Sequence, residues 1–159
     1  CAMAGYAIMW MDGPLITSSY RLKHVGLSSE HNEYMAITAA AKKLVWITQL
    51  LEEIKHTQKL PIDMFGDNVQ ANRLCSENII TSGNQYIRQY YHFNKEKVEE
   101  GLMKLTWVDT TLNIADIYTK PLTRAQCENL MPDLLGYGEG ITALRTKILS
   151  MDPTIKQRQ

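Results

Sequence analysis

The sequence predicts an α/β domain, a mixed sheet with helices packed on it. Three observations carry this. Two short apolar runs, Tyr6 to Trp10 and Leu15-Ile16, flank Asp12-Gly13-Pro14, which is turn chemistry and reads as a hairpin. From about Glu30 to Ile54, the residues Ile37, Ala40, Ala41, Leu44, Ile47, Leu51 and Ile54 recur at helical spacing. Beyond that, short strand-like runs alternate with helical ones.

Taken in order, Leu22 to Leu27 is a candidate third strand after the hairpin. Ser28 and Ser29 suit the N-cap of the long helix, and Ala39 to Ala41 allow its close approach to a sheet. Leu60 to Phe65 reads as a buried strand ending at Gly66-Asp67-Asn68, where Asp67 or Asn68 can cap a short helix to about Ser76. Asn78 to Gln85 is polar and reads as a loop. Tyr86 to Glu100 is the next helix, with Ile87, Tyr91 and Val98 on one side and Gly101 as its stop. Met103, Leu105 and Trp107 alternate with Lys104 and Thr106, as in a strand. Asn113 to Tyr118 can begin a helix, and another follows Pro121, from Thr123 to about Leu130. Gly136, Gly138 and Gly140 break the pattern before a weakly amphipathic tail with Ile141, Leu144 and Ile148. The expected division is a domain over 1–136 and an extension over 137–159, a docking helix or an ordered tail.

Charge and composition narrow the function. Lys+Arg and Asp+Glu are each 17, so a generally basic, phosphate-seeking surface is excluded and any nucleic-acid contact must come from a local patch. No apolar run reaches the roughly 18 residues of a membrane span. Cys1, Cys75 and Cys127 are odd in number and lack metal spacing, which argues against a disulfide framework. Trp10, Trp46 and Trp107 are expected in the core, and the eight Met residues are expected to fill gaps.

Three carboxylates stand where elements begin or end: Glu33 in the first turns of the long helix, Asp67 just past a strand, and Asp116 near a late helix start. Such positions can converge at one sheet edge. Clustered carboxylates repel unless a hard cation neutralises them, and magnesium takes oxygen ligands. Two such ions about 4 Å apart promote phosphodiester cleavage. Separately, Glu33 can serve the helix dipole, Asp67 can be an N-cap and Asp116 a surface acid.

Several stretches together resemble the RNase H domain of copia-type retrotransposon polyproteins. Leu27-Ser28-Ser29-Glu30-His31-Asn32-Glu33-Tyr34-Met35-Ala36 resembles its L-S-S-T-E-A-E-Y-M-A run. Lys42 to Ile47, then Leu50-Leu51-Glu52-Glu53, resemble the helix that follows, and Gly66-Asp67-Asn68 its strand-end D-N. Tyr91-His92-Phe93 with Lys97-Val98-Glu99-Glu100-Gly101, and Asn113 to Leu122 with its A-D-I-x-T-K-P-L pattern, complete the series in order between Ala4 and Gly136. The resemblance implies an RNase H-like fold, a five-stranded mixed sheet flanked by helices, that cuts the RNA of RNA–DNA hybrids with two magnesium ions. It implies Glu33, Asp67 and Asp116 as catalytic, metal-binding residues.

That family's remaining ligand is an Asp on a central first strand, upstream of its G-Y segment. Here only four residues precede Gly5-Tyr6, so the first strand and its Asp are expected to be absent and the chain to be a piece of something longer. Asp12 lies in the turn after that segment and is no substitute. The chain alone is therefore expected to bind magnesium weakly and to be nearly inactive. The strand would come from an upstream segment or from a partner that donates one; otherwise the sheet rearranges. The family's basic run before Y-H-F is Gly83-Asn84-Gln85-Tyr86-Ile87-Arg88 here, with less charge for a phosphate backbone. His31 stands at a position with no assigned metal role. Ser28, Ser29 and Asn68 are candidates for phosphate or 2′-hydroxyl contact, or else helix caps. His92 is expected to be packed or half-exposed rather than catalytic. The rival function is an inactive retrotransposon-derived module, a structural or adaptor subunit of a larger assembly. The family implies a nuclear or cytoplasmic site.

Overall fold

The computed structural model describes residues 3–22, 29–76 and 88–151. Strands β1 (Met3–Trp10) and β2 (Gly13–Arg21) form an antiparallel hairpin. Its tip is Met11-Asp12, both with positive φ (49° and 63°), as a two-residue hairpin loop requires. Gly13 and Pro14 thus open β2 rather than lying in the turn. The register slips between Ile8 and Met9, opposite Pro14, which has no N–H to give the ladder. β2 stretches well past Ile16. The expected strand from Leu22 to Leu27 is not borne out at Leu22, which lies beyond β2; 23–28 are outside the described residues.

Helix α1 (Ser29–Glu53) buries Tyr34, Ile37, Ala41, Leu44, Ile47 and Leu51, as the periodicity predicts. Ile54 departs from the expectation: it lies past the helix end and is exposed. Trp46 is a second departure, 53% exposed rather than core. At 100° per residue, position 46 falls with Lys42, Lys43 and Gln49 on the outer face.

Strand β3 (Ile62–Gly66) pairs in parallel with β4 (Met103–Trp107), from Ile62 opposite Met103 to Gly66 opposite Trp107. The crossover between them carries α2 (Val69–Ser76) and α3 (Arg88–Glu99). The expected helix start at Tyr86 and the loop before it lie outside the described residues. Alternation along β3 divides its side chains between two layers. Met64 joins Tyr34, Ile37, Ala71, Cys75, Tyr91 and Leu105 beneath α1, and Ile62 packs on Ala41, Leu44 and Met103 there. Phe65 instead joins Val108, Ile114, Leu134, Leu144 and Ile148, together with Ala7 and Met9 of β1.

After β4 the chain makes two 3-10 turns, Thr110–Leu112 and Ile114–Tyr118, the second in place of the expected helix start. Gly5 of β1 lies flush against the second: a Cβ there would meet Tyr118 Cβ at 2.8 Å. Helix α4 (Arg124–Leu135) opens on a capping box between Thr123 and Gln126. It runs past the expected end at Leu130, through Pro132, to a left-handed Gly136. The tail after the glycines is helix α5 (Ile141–Met151), docked through Leu144 and Ile148. The molecule is thus mixed α/β, with two two-stranded sheets and five α-helices among the described residues. No helix among them is long and apolar enough to cross a membrane.

Candidate functional site

Among the described residues, the two sheets share no strand pairing. Between them lies a cleft of about 570 Å³. Its edges are β1 and β3, each with one side unpaired among the described residues. One face is α1, through Asn32, Ala36, Ile37, Ala40 and Leu44; the other is α5, through Leu144, Arg145 and Ile148. Arg145 forms an ion pair with Asp63 of β3, and this fastens α5 across the cleft. The small side chains Ala36 and Ala40 leave the slot wide. Asn32 Oδ1 lies buried beside it with no hydrogen-bond partner among the described residues.

Glu33, Asp67 and Asp116 come together at the end of this cleft, where α1 begins and β3 finishes. Each is held by its own local structure. Glu33 is half-buried in the opening turns of α1. Asp67 follows β3 directly, and its backbone carbonyl accepts from Trp107 Nε1 at 3.2 Å. Thr110 Oγ1 approaches its carboxylate at 3.4 Å. Gly66 before it packs closely on Asn72: a Cβ there would lie 2.6 Å from Asn72 Oδ1. Asp116 is 5% exposed, in the 3-10 turn capped by Asn113. Its two oxygens are taken by Asn113 Nδ2 at 3.2 Å and by Lys120 Nζ at 2.6 Å.

The electrostatics follow from this crowding. Burial pushes Glu33 up to about 7, helped by the charge of Asp67, a hydrogen bond to it, and the charge of Asp116. Burial also raises Asp116, against the opposing pull of Lys120. Lys120 is held above its ordinary range, first by its bond to Asp116, then by the surrounding carboxylates, Asp67 and Glu33 included. Glu33 thus keeps its proton toward neutral pH and bonds to Asp67, while Lys120 neutralises Asp116. The donors are hard oxygens, which suit magnesium. Among the described residues, however, no three His, Cys, Asp or Glu side chains are arranged as a ready metal cage. The Glu33–Asp67 pair fits a divalent cation between its oxygens once Glu33 gives up its proton; Asp116 fits once it is free of Lys120.

The remaining candidates fall elsewhere. Asn68 Oδ1 accepts from the backbone N–H of Gln70 and Ala71, at 2.9 and 3.0 Å, and so caps α2. Ser29 opens α1, and Ser28 lies outside the described residues. His92 is exposed, edge-on to Tyr91. Lys120 and Asn113 were not singled out from the sequence. Their signal was present: Lys120 stands four residues after Asp116, the spacing of a helical ion pair, and Asn three before it is capping chemistry.

The relatives of this chain are Pol polyproteins of copia-type transposons. It is 33% identical over 125 residues, 79% of its length, to the retrovirus-related Pol polyprotein from transposon RE2 of Arabidopsis thaliana. It is 32% identical over 125 residues, again 79%, to that from transposon RE1 of the same plant. With that from transposon TNT 1-94 of Nicotiana tabacum it shares 29% over 132 residues, 83% of the chain. The chain spans 8 to 10% of the length of these relatives. No family model and no solved structure matches it.

Proposed function

We propose that the chain is the larger part of a retrotransposon-derived RNase H-like domain that, once completed, hydrolyses the RNA strand of RNA–DNA hybrids with magnesium. The observation that supports this best is the meeting of Glu33, Asp67 and Asp116, from three distant segments, at the mouth of a slot between two half-sheets. The slot is the place for one more strand. β1 and β3 each offer it an unpaired edge, α1 and α5 roof and floor it, and Asn32 Oδ1 offers an orphaned acceptor. A strand there would join the two sheets into one of five and could bring a further carboxylate to the cluster.

In this reading, the bound magnesium supplies charge stabilisation of the cleaved phosphodiester and activates water. The chain's own part is to hold oxygen ligands in place. β3 and Trp107 fix Asp67, the capped 3-10 turn fixes Asp116, and α1 sets Glu33 against both. With the slot unfilled the ligand set is short, so the chain by itself has little or no activity.

The test is cleavage of a labelled RNA–DNA hybrid in magnesium by this chain and by a form extended upstream through one strand. Cutting by the extended form alone, and its loss in Asp67→Asn, is the expected result. If the extended form neither cuts nor binds magnesium, the reading is wrong and the module has left catalysis.

A further inference from the structure

We propose that Lys120 is the resident counter-cation of the carboxylate cluster, and that a divalent cation displaces its ammonium group from Asp116 on binding. This rests on the proposed magnesium-site reading of Glu33, Asp67 and Asp116.

Three features of the site lead here. Lys120 Nζ sits 2.6 Å from Asp116 Oδ2 and lines the same cleft as Glu33 and Asp67. A single positive charge thus stands where a cluster of acids would otherwise repel itself. The two partners also differ in freedom. The Asp116 side chain is 8% exposed and tied to Asn113, whereas Lys120 is 46% exposed. Asp116 has nowhere to go, while the flexible Lys120 stem can swing its charge into water. Finally, the backbone is locked: Lys120 N–H donates to Asp116 O at 3.2 Å, so the exchange needs only side-chain rotation.

The chemistry is a competition between cations for Asp116. An ammonium ion contributes one positive charge and donates hydrogen bonds. A magnesium ion contributes two and accepts oxygen ligands from Glu33 and Asp67 as well. Once displaced, Lys120 stays at the mouth of the cleft, placed to face a phosphate. It is a positioning residue, acting through Asp116.

Mn2+, a paramagnetic stand-in for Mg2+, is titrated into the full chain and into Lys120→Met and Lys120→Arg, with binding read from water proton relaxation. Removing the competing charge should tighten Mn2+ binding about tenfold in Lys120→Met. Lys120→Arg, which keeps the charge, should remain near the unaltered chain. In a second experiment, the unaltered chain is acetylated with and without Mg2+ and the modified lysines are mapped by mass spectrometry. Mg2+ should raise labelling of Lys120 severalfold and leave the exposed Lys104 unchanged; this arm decides the matter if Lys120→Met does not fold. Equal or weaker Mn2+ binding in a folded Lys120→Met, no Mn2+ binding to either protein, or Lys120 labelling indifferent to Mg2+ overturns the inference. Hybrid cleavage enters neither readout. A completed domain that cuts while Lys120 ignores Mg2+ keeps the proposed function and loses this inference alone.

Discussion

Asp12, at the tip of the hairpin, accepts a hydrogen bond from the backbone N–H of Ile141 at 2.8 Å, across 129 residues of sequence. Its carboxylate thereby caps α5 from outside that helix. Gly136 and Gly140 make room: a Cβ at Gly136 would lie 2.4 Å from Asp12 O, and one at Gly140 3.1 Å from Asp12 Oδ1. The turn of the first sheet and the last described helix are thus locked together, and α5 is held over the cleft at two points, its first residue by Asp12 and its middle by Arg145.

Asp12→Ala should remove this cap and place Ala at a positive φ, at a cost of about 1–2 kcal/mol. Asp12→Asn, which keeps an acceptor and tolerates that backbone, should stay within about 0.5 kcal/mol of the original. Urea denaturation measures both. Hydrogen exchange should show faster exchange at Ile141 to Leu144 in Asp12→Ala.

The carboxylate cluster makes stability depend on pH. Glu33 is raised from 4.5 to about 7, so the folded state binds its proton more tightly than the unfolded chain does. That contribution is complete in acid and is lost as pH rises from about 4.5 to 7. Since Glu33 is only half-buried, solvent screening reduces the effect to on the order of 1 kcal/mol. The raised Asp116 acts in the same direction. Glu33→Gln should flatten the fall in denaturation midpoint between pH 5 and 7, at roughly the window in which Glu33 titrates. An unchanged slope would count against the crowded arrangement described here.

Asn94 is fully buried in the core beneath α1, donating to Thr38 Oγ1 at 2.8 Å, while Thr38 donates to Tyr34 O at 3.0 Å. Asn94→Ala removes a hydrogen-bond partner and opens a cavity, with an expected loss of about 2–3 kcal/mol. Thermal unfolding of the purified variant checks it.

Cys75, in the same core, is fully buried, and that burial pushes its thiol up to about 12. Cys127 is only half-buried. At pH 8, a thiol reagent should label Cys127 and spare Cys75 until denaturant is added, as peptide mapping will show.

Local pattern made much of this legible in advance. The buried face of α1 followed from the 3.6-residue period, and β4 from strict alternation. Glu33, Asp67 and Asp116 stood out because strand ends and helix starts gather at sheet edges, and the structure does bring them together. What escaped was set by partners far away in the chain. The exposure of Trp46 depends on which side of α1 the sheets occupy. The role of Asp12 depends on a helix 129 residues distant. The register slip opposite Pro14 also escaped, because a missing N–H matters only once the facing strand is known. Asn68 offered a polar side chain that suits nucleic acid and helix end equally well, and the nearby backbone N–H groups claimed it.

The split into two half-sheets bears also on how this chain behaves in a crowded solution. An unpaired strand edge is a template on which another chain can build, the first step of β-aggregation. Here the inward edges of β1 and β3 are covered by α1 and α5, with the Arg145–Asp63 pair across the cleft. Loosening α5, whether at Asp12, at Arg145 or at Leu144, would bare both edges together. The last described helix thus guards against self-association, and variants that undock it should precipitate well before they unfold.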